Sequence, residues 1–98
     1  MQVTLSTTGI EVVPQGNLRK SILFQNTDGA INIHLKKTRP GEAVATTSVF
    51  DVRIPPGGAF AMNINDDGAE AVQERWTAVA ASGTPVLTIF ETKDKKYI

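Results

Sequence analysis

Cysteine is absent from the 98 residues, so the chain has no disulfide framework, no thiolate zinc cluster and no cysteine nucleophile. The lack of disulfides fits synthesis in a reducing cytoplasm. Surplus charge is missing too: 10 Lys and Arg balance 10 Asp and Glu, for a formal net charge of zero. That balance removes the basic footprint of a nucleic-acid binder or of a polybasic membrane-surface protein. Aromatic residues are 6% of the chain, too few to supply a platform for stacking sugar rings. No apolar run approaches the roughly 20 residues that cross a bilayer. Met1 to Thr8 has neither the basic start nor the apolar stretch of a signal peptide. Neither nucleic acid nor membrane is expected as a partner.

What is abundant is β-branched. There are 9 Val, 8 Ile and 11 Thr against only 5 Leu, and such stiff side chains pack well on pleated surfaces. Gly and Pro recur as punctuation between short apolar runs, and no long helical pattern separates them. The sequence therefore reads as one all-β domain over 1–98, a small antiparallel β-sandwich or Greek-key barrel of about seven to eight short strands. Residues 1–18 hold two weak strand candidates and are read as a possible N-terminal arm, and 93–98 as a basic tail.

Strands follow from alternation. Lys20 to Asn26 and Ile31 to Lys36 flank Asp28-Gly29, the strongest hairpin signal in the chain. In the second of these, Ile31, Ile33 and Leu35 share one face, and Asn32, His34 and Lys36 share a face expected to meet water. Lys37 to Ser48 reads as a long polar loop. Phe50, Val52 and Ile54 form the next strand, and Pro55-Pro56-Gly57-Gly58 suits a type II turn into Ala59 to Ile64. Asn65 to Gly68 reads as a loop and Ala69 to Glu74 as at most one helical turn. Arg75 to Ala81 and Pro85 to Lys93 complete the set.

Few residues invite chemistry. His34 is the single imidazole, placed on a polar strand face with no visible partner for general-base work, and it reads as a surface histidine. No G-x-S-x-G elbow and no glycine-rich phosphate loop occurs. Asn63 to Glu74 matches the oxygen spacing of a calcium-binding loop, yet its first ligand is Asn and strands flank it, so a polar turn is the expectation. Asp66, Asp67, Glu70 and Glu74 read as a solvated acidic stretch. No catalytic residue, metal ligand or cofactor is expected.

One ordered set of segments carries a resemblance. Arg19-Lys20-Ser21-Ile22-Leu23-Phe24-Gln25-Asn26 precedes Ala30-Ile31-Asn32-Ile33 and Ala45-Thr46-Thr47-Ser48. Ile54-Pro55-Pro56-Gly57-Gly58, Ala78 to Thr84 and Leu87-Thr88-Ile89-Phe90-Glu91 follow. This pattern resembles the small all-β virion proteins of tailed bacteriophages, notably capsid decoration or cement proteins. The long loop from Leu35 to Ala45 departs from it. The resemblance implies a non-enzymatic structural protein, made in the host cytoplasm, that binds the major capsid protein in many copies on the virion surface and reinforces the shell. A tail or head-completion component is the nearest alternative. A carbohydrate- or receptor-binding sandwich using the Leu35 to Ser48 loop is another.

Assembly is suggested by the last strand. Val86 and Phe90 share one face, Leu87 and Ile89 the other, and a domain this small has one core. If Val86 and Phe90 face that core, Leu87 and Ile89 are left for an intermolecular contact, which is the expectation here. The chain is thus expected to be a homo-oligomer, with a trimer matching a capsid's local threefolds.

Overall fold

Two four-stranded antiparallel sheets face one another across an apolar core in the computed structural model, which describes residues 1–93. In chain order the strands are β1 (Gln2–Thr4), β2 (Ile10–Val13), β3 (Arg19–Asn26), β4 (Ile33–Lys37), β5 (Val52–Ile54) and β6 (Ala59–Asn63). Helix α1 (Ile64–Gln73) follows, then β7 (Trp76–Ala80) and β8 (Val86–Lys93). Sheet A runs β1-β8-β3-β6 and sheet B runs β2-β7-β4-β5. The expected small all-β sandwich is the fold found. The basic tail lies outside the described residues beyond Lys93. Residues 1–18 give one edge strand to each sheet, β1 on β8 and β2 on β7, so they form part of the sandwich and not a detached arm.

The chain crosses between sheets at nearly every connection. β3 and β4, expected as a hairpin, lie in different sheets: β3 is paired on both sides by β6 and β8, and β4 by β5 and β7. A type I′ hairpin needs positive φ at its central residues, and Gly29 is not among the glycines that adopt it. Instead the Asp28 carboxylate accepts from the Ala30 and Ile31 amides at 2.8 Å each, folding the segment into a corner. The Pro55–Gly58 turn forms as expected, with Gly57 at φ +74 and the Gly58 amide donating to the Pro55 carbonyl. It too is a corner between sheets.

Both corners meet at Asn26, which is fully buried. Its Nδ2 donates to the carbonyls of Ile31 (2.7 Å), Ile54 (3.0 Å) and Pro55 (3.2 Å), and its Oδ1 accepts from the Asp28 amide. Its backbone pairs with Gly57 and Gly58. One amide side chain thus holds two crossovers in register and leaves no buried polar atom of its own unpaired.

Ile22, Phe24, Leu87 and Ile89 from sheet A meet Val13, Ile33, Leu35, Ile54, Trp76 and Ala78 from sheet B. The Phe24 and Trp76 rings lie 5.6 Å apart, tilted by 55°. Trp76 satisfies its indole N–H on the Ala71 carbonyl of α1. That helix is longer than the single turn expected, although Gly68, at φ +84, breaks it in the middle. Only Val72 of α1 is fully buried.

Candidate functional site

Leu87 and Ile89, expected at an intermolecular contact, are instead buried in the monomer's own core, with 0% and 2% exposure. Side-by-side pairing fixes this: Leu87 stands opposite Val3 and Asn26, and Ile89 opposite Phe24, all on the inner face of sheet A. Strand alternation then turns Val86, Thr88 and Phe90 outward. Phe90 is the side chain left in water, 64% exposed on an interior strand. The alternation was correctly seen in the sequence, but its two faces were assigned the wrong way round.

The outer face of sheet A is therefore the open one. It presents Gln2 and Thr4 of β1 and Val86, Thr88, Phe90 and Thr92 of β8. Beside them stand Ser21, Leu23 and Gln25 of β3 and Ala59, Ala61 and Asn63 of β6. None of these carries a charge, in a chain where one residue in five does (20%). Along β3 and β8 the first charges, Lys20 and Lys93, come at the end where the register slips beside Arg19, and at the β1 edge the Met1 ammonium donates to the Ile89 carbonyl at 2.9 Å. Across the middle runs one row in register, Ala61 beside Leu23 beside Phe90, small to large.

Sheet B is covered on its outer side. Residues 38–51 fold down as a strap: the Ala45 amide donates to Thr77 Oγ1 at 2.9 Å, and the Thr38 and Thr77 hydroxyls meet at 2.9 Å. Beneath it Thr77 and Val79 are buried, as is Ala45 of the strap itself, although all three lie outside the main core. This cover explains why both faces of β7 are apolar without any partner chain. The Leu35 to Ser48 segment, considered as a receptor-binding loop, is thus packed down. Lys36 Nζ donates back to the Ala43 carbonyl at 2.6 Å, and Arg39 Nη2 reaches Glu70 of α1 at 2.6 Å. Hydrogen bonds from Arg39 and then Lys37 hold the Glu70 carboxyl below the usual carboxylate range.

His34 lies under the same strap, not in water as its polar neighbours suggested. It is 7% exposed, its ring meets Phe50 edge-on at 4.5 Å, and its Nδ1 has no hydrogen-bond partner. Burial, then the charge of Arg53 beside it in the sheet, lowers its pKa below the ordinary 6.5. Among the described residues no carboxylate or hydroxyl hydrogen-bonds to Nδ1 to form a proton relay with it.

Arg19 is the polar residue whose role sequence reasoning missed. It is 2% exposed and donates to Glu91 Oε2 at 3.0 Å, to the carbonyls of Val72 and Glu74, and to that of Pro14 at 2.6 Å. Arg19 and Asn26, the two ends of β3, are thus both buried hubs of the fold. The Asn63 to Glu74 stretch is a helix with its cap. Asn63 Oδ1 accepts from the Asp66 amide, and Asp67 accepts from the Asn63 amide. Those oxygens are spent on the helix terminus, and no group of three His, Cys, Asp or Glu side chains capable of holding a metal occurs among the described residues.

No pocket is found among the described residues. The surface that stands out is the uncharged face of sheet A, centred on Phe90. Compared with known proteins, the chain matches no protein-family model, no curated protein and no solved structure.

Proposed function

We propose that this chain is a structural protein of a tailed-bacteriophage virion, which binds the capsid surface in many copies and stabilises the shell. The observation that carries the reading is the open face of sheet A. A broad uncharged sheet with an exposed Phe at its centre suits contact with another protein surface. The ordered segments from Arg19 to Glu91 add the likeness to capsid decoration proteins. The polar ends of the first of these segments, Arg19 and Asn26, are accounted for by the fold itself. Many weak contacts on a repeated lattice add up through multivalency, so a small contact surface is sufficient for such a role.

The test is addition of the purified protein to undecorated shells assembled from a tailed-phage major capsid protein. Saturable co-sedimentation, with a fixed number of copies per shell and a higher temperature of shell disruption, is expected. Absence of stoichiometric binding would contradict the reading.

A further inference from the structure

We infer that the outer face of sheet A pairs with the same face of a second copy, forming a two-fold dimer that is reversible in solution. The inference names the occupant of that face when no shell is present; on a shell the capsid surface takes its place, and the inference rests on the proposed function only for that setting.

Two observations point to a second copy. The face carries no charge, so an identical face meets it without stranding an ion from either side. Its central row is complementary to itself. A two-fold axis running along β3 above Leu23 places Phe90 of each copy over Ala61 of the other, because the three residues share one register. The large side chain then fills the space over the small one. Twisted sheets stack in this aligned manner about 10 Å apart.

Area sets the strength. With the axis over β3, β8 and β6 cover one another and β3 covers itself, so three strands about 4.8 Å apart, over some six residues of about 3.3 Å each, give a footprint on the order of 300 Å² per copy. Twice that falls below the roughly 1,200–2,000 Å² of stable specific interfaces, which sets the expectation of a weak, transient dimer, not an obligate one. Lys20 and Lys93 sit at the rim, and an axis along β3 brings them near the same two lysines of the second copy about 10 Å away across the interface, a like-charge repulsion that salt screens. A face pairing with itself closes at two copies, so the threefold assembly suggested by the sequence is replaced by a pair.

Sedimentation equilibrium of the purified protein, from tens of micromolar to about millimolar, tests this without any shell present. The apparent mass should climb from monomer towards dimer as concentration rises. Phe90→Lys and Ala61→Glu should each weaken association by at least about tenfold while keeping the circular dichroism of the native sheet. Val49→Lys, on the exposed strap, should leave it unchanged. A monomer at every concentration, a limiting trimer, or association indifferent to both sheet A variants would overturn the inference. Two substitutions guard against one that fails to fold. Shell binding measured separately on the same proteins decides the functional reading, so either conclusion can fail without the other.

Discussion

Polar side chains hold this small sandwich together at three points, and each uses its chemistry differently. Asn26 satisfies three carbonyls where two crossovers meet. Asn26→Ala keeps the backbone, and the Gly58 amide still serves the Pro55 carbonyl, but the Ile31 and Ile54 carbonyls lose this donor in the interior, which should cost about 2–3 kcal/mol. Urea unfolding followed by Trp76 fluorescence would report the loss. Arg19 joins β8, the end of α1 and the Pro14 loop through one guanidinium whose planar fork a lysine could not replace. His34 makes no hydrogen bond through Nδ1 and is favoured in its neutral form by burial and by Arg53. Its folded pKa lies below its unfolded one, so the unfolded state takes up the proton first. The stability associated with neutral His34 is therefore complete above about pH 6.5 and declines as pH falls through that value towards the lowered folded pKa. His34→Phe should flatten the dependence of the urea midpoint on pH between about pH 7.5 and pH 5.5. An unchanged slope in that variant would show that His34 does not titrate in this way.

At the scale of elements, the strap over sheet B is the feature on which the most depends. It converts what reads as a solvated strand face into a buried one, and among the described residues it leaves the outer face of sheet A as the open one. A side chain on Gly9 would overlap the Ala45 carbonyl oxygen and the Val44 side chain. Gly9→Val should lift the strap at a cost of about 1–3 kcal/mol. Faster hydrogen exchange at the Ala45 amide, with little change at the β3 amides, is the expected signature. The strap also marks the limit of what the sequence could tell. Alternation located β3, β4, β6, β7 and β8, and Pro56-Gly57 announced its turn, because these depend on neighbours in the chain. The cover over His34 and Val79 depends on residues that arrive from 38–51, and no local pattern announces that. The supposed hairpin failed for a related reason: Asp28-Gly29 suits a tight turn, but the carboxylate of Asp28 and the reach of Asn26 bend it into a corner. Leu87 and Ile89 against Val86 and Phe90 were a choice between two faces of nearly equal apolarity. What decides it is the register with Val3 and Phe24.

The whole molecule divides its surface by charge. Ion pairs gather on the strap, α1 and the β2–β7 edge, where Arg39 and Lys37 meet Glu70 and Arg75 meets Glu11 at 2.7 Å, and at the end of β8, where Glu91 meets Arg19 at 3.0 Å. The outer face of sheet A carries none. Exposed pairs of that kind add little stability, so their placement matters chiefly for which surfaces stay hydrated and which meet a partner. The claim central to this account is that the sheet A face is the contact surface. Methyl NMR with a soluble paramagnetic agent tests it most directly, at protein concentrations near millimolar. The account predicts that the methyls of Leu23 and Val86 become shielded from the agent as concentration rises, while those of Val49 stay fully exposed throughout. Equal broadening of Leu23, Val86 and Val49 at every concentration would contradict it.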